Sequence, residues 1–105
     1  MLLLISENWK EAEQLCEEVI SEGKTNFVGH SLFVLGWMFE EGKGKKTDLE
    51  ESKKYYLLAV QKFHPIAAVR LAAYYENGNS VPKDMKRAIE LYEFAAKFVN
   101  FYTHF

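Results

Sequence analysis

The chain has 105 residues, 49 % hydrophobic and 27 % charged, with a formal net charge of −2 at pH 7. That is one domain at most, ordinary in composition for a globular protein and short for an enzyme with a deep cleft. The balance of 13 Lys and Arg against 15 Asp and Glu leaves no basic footprint for nucleic acid, and a lone cysteine excludes an internal disulfide framework.

Residues 1–5 form a short apolar run that Ser6, Glu7 and Asn8 end at once. It is too short and too poorly flanked for a signal peptide or a membrane span, so no membrane partner is expected and a cytoplasmic location is the default. From there the apolar spacing predicts five helices, over residues 8–22, 27–41, 48–62, 65–77 and 84–99. Asn8, Asp48 and Asp84 stand where a side chain can cap the free amides of a first turn. Asp48 and Glu51 have capping-box spacing. Gly23, Gly42 and Gly78 stand where a helix ends in a left-handed residue, and Pro65 suits a first turn.

Displaced by 36 residues, the sequence falls on itself. Leu35 meets Leu71, Phe39 meets Tyr75, Glu40 meets Glu76 and Gly42 meets Gly78; beyond the turn, Asp48 meets Asp84, Ser52 meets Ala88, Tyr56 meets Tyr92 and Ala59 meets Ala95. A displacement of 40 adds a partial copy in which Asn8, Trp9, Ala12 and Cys16 meet Asp48, Leu49, Ser52 and Tyr56. Such self-similarity marks a solenoid. The expected organisation is a single domain over 1–105: a partial repeat at 8–23 holding a second helix only, repeats at 27–62 and 63–98, and an aromatic cap or start of a further helix at 99–105. In the better copy Ala67, Leu71 and Tyr75 form one apolar stripe and Ala88, Tyr92 and Ala95 the facing one.

The pattern Ala67-x3-Leu71-Ala72-x2-Tyr75-x2-Gly78-x2-Val81-x2-Asp84-x3-Ala88-x3-Tyr92-x2-Ala95-Ala96 resembles the Sel-one-like repeat, a relative of the tetratricopeptide repeat. Residues 27–62 are a weaker copy that departs at Lys45, where a hydrophobe is usual, and at Val60, where alanine is. The resemblance implies an all-α fold, a right-handed α–α superhelix forming a short solenoid of antiparallel helix pairs, used in the family mainly as a scaffold for protein contacts. In related arrays the first helix of each pair lines a concave face. Here that face carries His30, Phe33, Val34, Trp37, Glu40 and Glu41, then Ile66, Val69, Arg70, Ala73, Glu76 and Asn77.

Phe33 and Trp37, one helical turn apart, make an apolar anchor for a partner, with Val69 and Ala73 alongside. The competing assignment puts Trp37 in the core beneath the first helix. Glu40 at the rim suits a basic segment, and the fork of Arg70 suits a carboxylate. Glu41 and Glu76 share that rim, and for all three glutamates the competing reading is a solvated helix end. Gly23-Lys24-Thr25 imitates the end of a phosphate-binding loop, but Glu18 occupies the required glycine position and a helix precedes it. Residues 43–46 read as a solvated basic turn.

His30, His64 and His104 lack metal-ligand spacing, and Cys16 takes the place of a core tyrosine rather than of a nucleophile. No catalytic constellation can be assembled. The expectation is therefore a non-catalytic module that binds a protein or peptide on its concave face, without cofactor, metal or nucleic acid. A dedicated inhibitor, immunity or effector protein is one alternative. Self-association as a homodimer through Phe98, Phe101, Tyr102 and Phe105 is another, because the C-terminal end is aromatic where a solenoid cap is usually polar.

Overall fold

In a computed structural model of the chain, the described residues run from Asn8 to Thr103, with side chains described as far as Phe98. Among them there are five helices and no strand: α1 (Trp9–Glu22), α2 (Val28–Glu41), α3 (Leu49–Gln61), α4 (Pro65–Asn77) and α5 (Met85–Thr103). Each packs chiefly on its neighbour in the chain, α1 on α2, α2 on α3, α3 on α4 and α4 on α5. The architecture is an all-α superhelical solenoid of helix pairs.

Local chemistry explains the boundaries. Asp48 accepts from the Glu51 amide at 3.2 Å and Asp84 from the Arg87 amide at 3.1 Å, so α3 and α5 start where a carboxylate takes up a free donor. Asp84→Ala is expected to cost about 1 kcal/mol, read as a small fall in the urea midpoint at unchanged slope. Gly23, Gly42 and Gly78 end their helices at φ of 62°, 71° and 69°. The cap expected at Asn8 does not form: its backbone is not extended and its side chain makes no capping bond. An unexpected cap is His64, whose Nδ1 accepts from the Ala67 amide at 3.1 Å ahead of Pro65. Helix α5 runs past residue 99 to Thr103.

The core joins the two helix pairs. Val28, Leu32, Tyr56, Ala59, Ala67, Leu71 and Tyr74 form one buried cluster drawn from α2, α3 and α4. Ala59, Ala67, Ala72 and Ala88 are fully buried, which lets the helices approach closely around the larger side chains. Tyr74 is buried more deeply than Tyr75 and donates to Ser52 Oγ at 3.0 Å, which satisfies the hydroxyl of a fully buried serine.

The non-glycine residue Phe63 holds φ of +63° just after α3, a conformation that disfavours a large side chain. Its ring is stacked with Phe94 and tilted against Phe98, at 6.5 and 5.8 Å between centroids, so the C-terminal half of α5 meets the junction between the pairs. Phe98, expected at a homodimer surface, is thus partly buried within the molecule. The side chains of Phe101 and Tyr102, all of Phe105, and residues 1–5 lie outside the described residues.

Candidate functional site

The face expected to receive a partner is carried by α2 and α4, and a chain of side-chain contacts ties these two helices together. At one end His30 Nδ1 lies 3.3 Å from His64 Nε2. At the other, Arg70 donates to Glu40 at 3.3 Å. Arg70 and Glu40 remain 40 % and 19 % exposed at their side chains, so the pair links the two helices while adding little to stability.

Phe33 and Trp37 pack against different neighbours. Phe33 is half-buried in an aromatic stack, 4.7 Å from the His64 ring, 5.6 Å from Tyr56 and 6.0 Å from His30. Trp37 is half-buried too and leans on Trp9 of α1, with ring centroids 5.8 Å apart and planes at 55°. Its neighbour Trp9 also carries the Lys43 ammonium at 5.9 Å and the backbone of Gly44, where an added Cβ would lie 2.5 Å from Trp9 Cβ. On α4, Val69 is 42 % exposed and Ile66, one turn before it, 54 %. Ala73, the next residue on that stripe, is half-buried.

Glu40 is a junction rather than a free rim carboxylate. Besides Arg70 it accepts the Tyr56 hydroxyl, and burial, followed by this carboxylate, pushes the Tyr56 phenol far above its ordinary range. Tyr56 is therefore a permanent donor. One repeat later the motif returns: Tyr92 donates to Glu76 at 2.8 Å, and that bond raises the Tyr92 phenol as well. The displacement of 36 that aligns Glu40 with Glu76 and Tyr56 with Tyr92 already held this signal, because both partners recur together.

The basic turn is not wholly solvated. Lys45 lies with its ammonium 4.1 Å from the centre of the Phe39 ring and pairs with Glu13, leaving its side chain 16 % exposed. Where the repeat usually has a hydrophobe, this lysine sets its ammonium over the aromatic ring and pairs it with a carboxylate of α1. Cys16 is half-buried, and burial raises its thiol, which keeps it protonated and unreactive.

At the N-terminal ends of α2 and α4 lies a cavity of about 600 Å³, lined in part by Thr25, Asn26, His30, Lys62, His64 and Phe98. Among the described residues no group of three or more His, Cys, Asp or Glu could hold a metal ion, and no helix is long and apolar enough to cross a membrane.

The Sel1 repeat family model matches residues 29–62 and 65–97. Chitin synthase regulatory factor 3 of Schizosaccharomyces pombe is 32 % identical over 73 residues, 69 % of this chain but 8 % of that protein. The crystal structure of a Sel1 repeat protein from Oxalobacter formigenes superimposes with a TM-score of 0.78 at 23 % identity, over 90 % of this chain and 40 % of the other. That likeness is one of fold.

Proposed function

The chain belongs to the Sel1 repeat family, and from that premise we propose that it is a non-catalytic module binding a partner protein or peptide on the face shared by α2 and α4. Sel1 repeat proteins are in general protein-interaction modules. The observation that supports this face most directly is the pair Ile66 and Val69, aliphatic side chains one turn apart and 54 % and 42 % exposed. Such a pair loses little by ordering and gains by leaving water, which suits an anchor. Around it we assign Phe33 and Trp37 as half-buried walls, Ala73 as the floor, and Glu40 with Arg70 as the polar edge.

The double variant Ile66→Asp/Val69→Asp is expected to lose a partner recovered by affinity purification, with at least about a tenfold fall in affinity. Its helical circular dichroism should stay at the wild-type value, since both side chains are exposed. A partner retained in full by the variant would remove this face from consideration.

A second reading, a dedicated regulator of one target, is favoured by the S. pombe relative, whose name makes it a regulatory factor. The chain spans 8 % of that protein's length, so its target is not carried over. A cytoplasmic site of action accompanies either reading and is checked by fractionating cells that express the tagged chain.

A further inference from the structure

The histidines that sequence spacing left without a role meet across the junction between the helix pairs. His64 stands between α3 and α4, and His30 stands in the first turn of α2; their rings stack with centroids 5.5 Å apart and planes at 28°. Two distances settle the tautomers. His64 Nδ1 accepts the Ala67 amide at 3.1 Å, so that nitrogen carries a lone pair and the neutral ring bears its proton on Nε2. Nε2 faces His30 Nδ1 at 3.3 Å, which makes His64 the donor and His30 the acceptor. A directed relay then runs from the first turn of α4 through both imidazoles to α2.

We propose that His64 is a proton-operated helix cap, set while its ring is neutral and lost when Nδ1 takes up a second proton. The logic follows from counting donors. A proton added to His64 goes to Nδ1, where it replaces the acceptor of the helix cap. That event removes the bond that closes the first turn of α4, while the Nε2–H still donates to His30.

The surroundings give an imidazolium at half-buried His64 little help. The cavity beside the pair is lined from the loop before α2 by Thr25 and Asn26, from the end of α3 by Gln61 and Lys62, and from α5 by Phe98. Lys62 is the charged side chain among these, and a cation offers an imidazolium no counter-charge. Phe33 offers its ring face at 4.7 Å, one favourable contact against the bond that protonation removes. Burial, followed by the neighbouring His30, holds His64 below its ordinary value of 6.5. A base depressed by folding binds its proton more readily in the unfolded chain. Its contribution is therefore present above about 6.5 and lost as the pH falls through the lower folded value.

The same tautomers argue against a two-histidine metal site. A metal on His64 Nε2 would need the lone pair there, which would send the proton to Nδ1 and break the cap.

The test is nuclear magnetic resonance on the full chain between pH 7.5 and 4.5. In wild type the exchange protection of the Ala67 amide, corrected for the intrinsic rate, is expected to fall about fivefold or more across this range. His64→Asn keeps a capping acceptor without a titratable group, and its Ala67 protection should stay flat. Three results would overturn the proton-operated cap: undiminished Ala67 protection in wild type at pH 4.5, an equal loss in His64→Asn, or Zn²⁺ at pH 7.5 raising Ala67 protection.

Discussion

Leu71→Ala is expected to lower stability by about 2–5 kcal/mol, the range for removing a leucine from a packed core. Leu71 is 1 % exposed and belongs to the cluster that α2, α3 and α4 build together, so neighbours on three helices must close on the void. They have little room to do so. Ala67 and Ala72 on its own helix are already fully buried, and the Tyr74 hydroxyl is tied to Ser52. In a domain of this size each kcal/mol is worth about 4–8 °C, so the melting temperature should fall by roughly 10 °C or more. Val69→Ala, two residues away and 42 % exposed, is the internal control and should stay within about 0.5 kcal/mol of wild type. Equal effects at the two positions would mean that the stripe assignment of α4 is wrong.

Gly36→Val is the second large effect. A Cβ at Gly36 would lie 2.7 Å from Tyr56 Cδ1, 2.8 Å from Cε1 and 3.2 Å from the Ser52 carbonyl oxygen. The tyrosine cannot withdraw: it is fully buried, its hydroxyl is held by Glu40, and its ring is stacked on Phe33 and edge-on to Tyr74. Replacing glycine in a helix interior ordinarily gains up to about 1 kcal/mol, which this clash must first cancel. Added methylenes in a filled core cost about 1–3 kcal/mol, and valine brings three carbon atoms with a stiff χ1. The expected net loss is about 3 kcal/mol, read by urea unfolding and by a changed tyrosine signal in near-ultraviolet circular dichroism. Shortening the obstacle, in Gly36→Val/Tyr56→Leu, should cost less than the sum of the single changes, because the two sites share one volume.

The frame was legible because its signals are local. Asp48, Asp84, Gly42, Gly78 and Pro65 each act within a turn of their own position, so spacing alone placed the ends of four helices within a residue or so. Asn8 failed for the same reason in reverse, since a residue type that can cap does so only where its backbone is extended. Candidate surface residues could be assigned to a helix stripe, but their contacts could not be read. Trp9 reaches Trp37 across 28 residues of sequence, and Arg70 reaches Glu40 across 30. Such encounters depend on how far the helices splay and on which rotamer a long side chain takes, and periodicity carries neither. The Glu–Tyr pairs are an intermediate case, visible as a recurrence yet silent about the bond. His64 was hidden because histidine is an uncommon cap, and Lys45 because a charged residue in a glycine turn ordinarily points to water.

Helices that pack chiefly on their chain neighbours also shape how the molecule comes together. Contacts close in sequence need only short loops to form, so little chain entropy is lost before the first favourable packing appears. Assembly of this kind is rapid and can begin at more than one place along the chain, with each completed helix serving as a template for the next. Opening runs along the same line: fraying at one end proceeds stepwise toward the α2–α3–α4 cluster instead of as a single event. Amide exchange should therefore be slowest around Tyr56 and Leu71 and quicken toward either end, a gradient along the chain rather than a division between surface and interior.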